Sequence, residues 1–264
     1  LEKIYANSVL LGDDGPDGWG VKYSTEFHMT NDSKLFPPRP KWEEKGYQPD
    51  EYSRWLKGKW RPIAELWAEL GVRSLPEGER RCAQPPYDTL PVPRADIPEG
   101  IILSRNADAW ISEKDIAGIA LPLYEGRMVN LFDFSEKGWV SGKGRKAVWD
   151  PIEWQAKYLN PQYLMDERTW RDSDYSGKQK LGFLAVGSAT NKRSLYCSAL
   201  PNLPCGNSVA TLKAPGEKAS LIELARVMSS YAFDYIVRLR LTGVNLNYFV
   251  IEEAPIFRAE PNHR

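Results

Sequence analysis

The stretch from Gly118 to Trp149 constrains the fold of this chain more than any other. An apolar run (Ile119, Ala120, Leu121, Leu123) reaches a glycine at Gly126, and a second apolar run follows from Met128 to Phe134. The stretch ends in a glycine-loosened basic loop, Ser141-Gly-Lys-Gly-Arg-Lys146. Apolar runs this short, broken by glycine, suit buried strands and turns rather than a helix. The expected product is a rigid hairpin that carries Lys143, Arg145 and Lys146 on a pliable tip. From the residues alone two readings stay open, a device that meets a polyanion and an ordinary solvated loop.

The flanking chain fits the same class. Residues 1–36 read as antiparallel strands: Lys3 to Leu11 is apolar-rich, and Trp19, Val21, Tyr23 and Thr25 fall on one face. Residues 37–62 interleave Trp42, Trp55 and Trp60 with Arg39, Lys41, Arg54, Lys57, Lys59 and Arg61. Such a segment either grips phosphates above stacked rings or is a loop anchored by its tryptophans. A short helix is expected from Pro62 to Leu70, closed by Gly71. Residues 74–100 form a proline-rich connector, taken as the seam between a strand-rich segment, 1–100, and a second region, 101–264.

Beyond the seam, Ser112-Glu-Lys-Asp115 carries a helix-start signature. Leu181–Ser188 and Ser194–Leu200 read as strands joined by the polar turn Ala189-Thr-Asn-Lys-Arg193. The capping box Ser220-Leu-Ile-Glu223 opens one long amphipathic helix, Leu221 to about Leu239, with Arg238 and Arg240 at its negative end. A last short apolar segment runs from Leu246 to Phe257. The fold class is therefore α+β, with mixed and antiparallel strands, hairpins and a few helices.

Composition limits the function. The 264 residues carry 35 basic and 35 acidic side chains, which argues against a surface that binds nucleic acid all over but leaves room for a local basic face. Three cysteines and two histidines suit no zinc module, and they favour a reducing, cytoplasmic setting. No apolar stretch approaches the ~20 residues of a membrane span. The chain opens on Leu1-Glu2-Lys3 without a signal-peptide pattern or an initiator Met, from which we expect a piece of a longer polypeptide. Its ten tryptophans and thirteen tyrosines fill cores first and stack on bases second.

Catalytic signatures are missing. No nucleophile elbow, phosphate-binding glycine loop, paired-His motif or dinucleotide turn is present. Gln84-Pro-Pro-Tyr87 is similar to the Asn-Pro-Pro-Tyr of amino-methylating DNA methyltransferases. However, Gln replaces Asn, and the preceding Glu77-Gly-Glu-Arg-Arg-Cys-Ala83 is too charged for the buried strand that such a site needs. No catalytic residue is assigned.

Four segments in order carry a resemblance. They are Glu26 to Phe36; Ala120-Leu-Pro-Leu-Tyr-Glu-Gly-Arg-Met-Val-Asn-Leu-Phe-Asp133; Leu181-Gly-Phe with Ala189-Thr-Asn-Lys-Arg193; and Met228 to Arg238 followed by Gly243-Val-Asn-Leu-Asn-Tyr-Phe249. Together they resemble the C-terminal half of adenine-N6 methylases from type IIG-like restriction–modification and phage-defence systems. The last segment also resembles the end of a target-recognition domain in type I specificity subunits.

The resemblance implies a module that reads double-stranded DNA. An S-adenosylmethionine-binding methyltransferase domain, with or without a fused endonuclease, would lie upstream in the same polypeptide, and residues 1–100 would link to it. Phosphate contacts would set position, and base-edge contacts would set sequence. The candidate DNA-binding residues are Lys143, Arg145 and Lys146; then Asn191, Lys192 and Arg193; then Arg238, Arg240, Asn245 and Asn247. The last group reads equally as a solvated helix end with a self-bonded turn. A protein-interaction module of the same defence complex is the main alternative, and a small hydrolase using unrecognised carboxylates is a remoter one.

Overall fold

The computed structural model of the protein describes residues 2–72, 90–177, 180–213 and 221–257. Along the chain the first elements are α1 (Glu2–Ala6), β1 (Val9–Leu10), β2 (Lys22–Ser24), α2 (Arg39–Glu43), β3 (Tyr47–Pro49), β4 (Trp55–Gly58), β5 (Arg61–Pro62) and α3 (Ile63–Glu69). Next come β6 (Ile101–Leu103), β7 (Ala109–Ser112), β8 (Ile116–Pro122), β9 (Lys137–Ser141), β10 (Val148–Pro151), β11 (Leu164–Asp166) and α4 (Glu167–Arg171). The last are β12 (Lys180–Leu184), β13 (Cys197–Leu200), β14 (Val209–Lys213), α5 (Leu221–Met228), α6 (Tyr231–Arg240), α7 (Tyr248–Glu252) and β15 (Pro255–Ile256). The fold is α+β. No helix among the described residues is long and apolar enough to cross a membrane.

The chain divides into two compact units, each assembled from separated stretches. The first comprises residues 1–33, 123–137 and 170–264; the second comprises 34–122 and 138–169. This partition does not follow the division at residue 100 read from the sequence. The Gln84-Pro-Pro-Tyr87 tetrapeptide, Cys82, most of the proline-rich connector and the Ser220 cap lie outside the described residues.

In the first unit, β13-β12-β14-β2 form an antiparallel sheet, with Leu181 opposite Ala199 on one side and Leu212 on the other. Leu181 and Phe183 pack with Leu224, Ala225 and Met228 of α5, Phe233 and Val237 of α6, and Val250 and Ile251 of α7. Beneath this core lies a fully buried ion pair. The Lys180 ammonium donates to both Glu26 oxygens at 2.7 and 2.8 Å, and the Cys205 backbone N–H donates to the same carboxylate at 3.0 Å. The Trp170 ring lies 4.7 Å from the ammonium. Glu26 thus leaves the alternation of the β2 strand to turn inward, and Thr25, expected on the apolar face, is exposed.

The expected long C-terminal helix is two helices. Ser229 and Ser230 separate α5 from α6. Ser230 takes an extended conformation (φ −69°, ψ 153°), and its side chain accepts from the Phe233 N–H as an N-cap. Serine favours caps over helix interiors because its hydroxyl competes for backbone partners. The break also frees the Ser229 carbonyl, which accepts from buried Arg193. Residues 1–36 are less strand-like than their pattern: Glu2–Ala6 is helical, and β1 is a two-residue strand paired with β15.

In the second unit β8 is central to the sheet β11-β8-β4-β3, with Trp55 opposite Ala120 and Leu164 opposite Pro122. Trp42, Trp55, Ala120 and Leu164 make one core cluster, and α3 covers another around Leu103 and Trp110. Helix α3 runs from Ile63 to Glu69, and Gly71 follows it at φ +64°. The apolar run Met128–Phe134, which belongs to the first unit, forms no strand. It folds back on itself where Asn130 and Asp133 exchange backbone hydrogen bonds, with Phe132 at φ +57°. The hairpin that carries the basic loop is instead β9–β10.

Removing one partner of a buried ion pair leaves a charge without compensation, a loss of about 3–5 kcal/mol. Lys180→Met should lower the unfolding free energy by that amount in urea melts, because Lys213, at 3.9 Å from Glu26, offers only partial compensation. A loss below ~1 kcal/mol would show that the pair is not what stabilises this sheet.

Candidate nucleic-acid interface

The β9–β10 ribbon is built from its base upward. At the base, Asn160 grips both backbone groups of Trp139: the Trp139 N–H donates to the Asn160 carbonyl at 2.7 Å, and the Asn160 amide donates to the Trp139 carbonyl at 2.8 Å. Asn160 Oδ1 accepts from Arg39 at 2.6 Å and from Arg105 at 3.1 Å. Arg39 lies over the Trp139 ring, and Arg105 lies between the Trp55 and Tyr158 rings at 4.8 and 4.6 Å. Burial lowers the pKa of both guanidiniums, that of Arg105 to about 10, which leaves Arg105 charged at neutral pH. The arginines of the basic–aromatic segment are thus anchors, while Lys41, Lys57 and Lys59 are exposed. Arg54 bonds Asp50, and Arg61 reaches Asp115.

At the neck, the Gly142 carbonyl accepts from the Trp139 indole at 3.1 Å and from the Gln162 amide at 3.2 Å. Gly142 sits at φ +78°, and a Cβ there would run into the Lys146 carbonyl. Only glycine fits such a position without strain. A single turn, Gly144–Lys146, then forms the tip. Lys143, Arg145 and Lys146 are all exposed, and none of their side chains makes a hydrogen bond or ion pair among the described residues. The tip therefore offers three solvated cations on a ribbon whose neck is fixed.

The other candidates lie in the first unit, and the structure sorts them. Arg193 is 7% exposed, stacked 4.4 Å from the Tyr231 ring and bonded to the Ser229 carbonyl. Its guanidinium is committed to holding the α5–α6 break and is not presented to a ligand, a correction to its place among the surface candidates. Arg238 donates to the carbonyls of Ala189, Asn191 and Lys192 and to Asp234. Arg240 donates to Glu253, to the Phe249 carbonyl and to the Tyr5 hydroxyl. Both are consumed as clamps. Asn191, Lys192, Asn245 and Asn247 are exposed. The loop bearing the first two is tied to the loop bearing the others, since Gly187 N–H donates to the Val244 carbonyl and Leu246 N–H to the Ala185 carbonyl. These four residues share one end of the unit.

One ionisable group escaped the sequence reading. Glu125 is largely buried, caps the turn Gly126–Met128, and leaves Oε2 without a hydrogen-bond partner among the described residues. Burial raises its pKa from 4.5 to about 7, with Arg127 opposing. Its neighbour Tyr124 is fully buried with an unpartnered hydroxyl. The apolar residues around Tyr124-Glu125 gave no signal that distinguished them from a capping turn. Among the described residues no group of three or more His, Cys, Asp or Glu is placed to hold a metal ion.

No protein-family model, curated protein or solved structure matches the chain.

Because the folded-state pKa of Glu125 lies above its ordinary value, its favourable contribution is complete below about pH 4.5 and is lost as pH rises through about 7. The unfolding free energy should fall by about 2–3 kcal/mol between pH 5 and pH 8 from this group. Glu125→Gln should flatten that slope in denaturant melts; an unchanged slope would remove Glu125 as its source.

Proposed function

We propose that the chain is the sequence-specific DNA-recognition module of an adenine-specific DNA methyltransferase from a restriction–modification or phage-defence system. The observation that carries the reading is the β9–β10 tip, where three exposed cations free of internal partners stand on a clamped neck. A two-stranded ribbon fits the major groove of B-form DNA, and cationic side chains at its end meet phosphates or guanine edges. The four ordered segments that resemble type IIG-like methylases and type I specificity domains support the same assignment.

Under this reading labour is divided. A methyltransferase domain elsewhere in the polypeptide binds S-adenosylmethionine and extrudes the adenine, in the cytoplasm where the chromosome is. This module lies on the duplex and selects the site. The exposed Asn191, Lys192, Asn245 and Asn247 at one end of the first unit supply amide and ammonium groups of the kind that read adenine and guanine edges.

A second reading, a protein-interaction module of the same complex, is favoured by one observation. Tyr231, Tyr235 and Leu239 form a largely exposed i, i+4, i+8 stripe on α6, and an exposed apolar stripe suits a protein partner.

The test is the pair Lys143→Ala with Arg145→Ala. It should weaken duplex binding at ~0.1 M salt by about tenfold or more, since each lost phosphate contact removes a counterion-release contribution. Thermal melting, and S-adenosylmethionine binding in the parent enzyme, should stay unchanged. Unaltered affinity and site choice would overturn the role given to the tip.

A further inference from the structure

A groove in the first unit is not used by DNA recognition. It has a volume of about 390 Å³ and lies between α1, the α5–α6 junction and β15. Its walls are mainly apolar, with Ile4, Val227, Phe233, Ile236 and Phe257 among them. A pocket of this size falls at the low end of the ~300–1,000 Å³ typical of small-molecule sites. Arg226 is the one charged residue on the described lining. It is exposed, and its side chain makes no hydrogen bond or ion pair among the described residues. That separates it from Arg193, Arg238 and Arg240, each of which donates to a carbonyl or carboxylate within the unit.

We infer that this groove is a binding site for a small anionic amphiphile, a medium-chain carboxylate whose alkyl body lies on Val227, Phe233 and Ile236 while its head meets Arg226. Charge complementarity selects the ligand class. Among its described lining residues the groove offers apolar surface and one uncommitted cation, with no carboxylate to repel an anionic head. A neutral alkyl chain would gain only the apolar burial. A short inorganic anion would gain only the weak surface charge of Arg226. The amphiphile gains both.

The chain contains its own reporter. The Trp19 ring meets Phe257 edge-on at 5.5 Å, and its indole donates to the Phe257 carbonyl at 2.8 Å. Titration of the intact chain with octanoate, decanoate and decanol, each below its micelle concentration, should give a saturable change in tryptophan fluorescence. Each buried methylene tightens binding roughly fourfold, so decanoate should bind about tenfold or more tighter than octanoate. Arg226→Glu should weaken decanoate about tenfold while leaving decanol unaffected. Ala232→Trp, at an exposed lining position, should block both ligands without lowering the melting temperature. Non-saturating titrations, or wild type and Arg226→Glu that bind decanoate equally, would overturn the site. None of these outcomes depends on DNA binding.

Discussion

Asn160 is the residue on which the second unit's presentation of its ribbon depends. A single side chain and its own carbonyl fix the Trp139 backbone in both directions and accept from two arginines. Those arginines lie on Trp139, Trp55 and Tyr158, so the same amide ties the ribbon base to the aromatic core. Two guanidiniums so close would repel one another in isolation. Shared hydrogen bonding to one amide oxygen and the negative faces of three rings offset that repulsion. Rigidity at the neck then follows from the Gly142 carbonyl, held by an indole and an amide, and only the turn beyond it remains free to adapt.

The first unit rests on a different device with the same logic. The Glu26–Lys180 pair is removed from water, and every strong donor around it is directed at the carboxylate. Arg193 plays the corresponding part at the α5–α6 break. It reaches the Ser229 carbonyl while Asp234 accepts from the backbone N–H groups of Ser194 and Leu195. Arg193, Arg238 and Arg240, which stand in a loop and at a helix end of this unit, are therefore internal ties. Exposure, rather than residue type, separates the binding candidates from the architecture.

Much of this was legible in the sequence, and the failures have physical causes. The α+β class, the helix α3 with Gly71 after it, the β12–β13 pairing and the glycine-held basic loop all follow from local patterns, because periodicity and turn chemistry act over a few residues. The break at Ser229-Ser230 was hidden because the apolar stripe of Leu224, Met228 and Tyr235 runs across it. What decides there is a tertiary partner, Arg193, far away in sequence. The same reason put Arg193, Arg238 and Arg240 among the surface candidates: a cation beside a turn looks solvated until the carbonyls it clamps are known. The run Met128–Phe134 looked like a strand because composition does not reveal that Asn130 and Asp133 bond each other.

We propose that the protein engages DNA through a small set of cations on one ribbon rather than through an overall basic surface. The dependence of duplex affinity on salt measures this directly. Each neutralised phosphate contributes a slope of about −0.9 to log K against log salt concentration. The three cations of the tip therefore predict a linear fall with a slope of about −2 to −3, steeper than a neutral chain otherwise suggests and shallower than an extended basic face would give. A flat response, or no duplex binding at low salt, would contradict it.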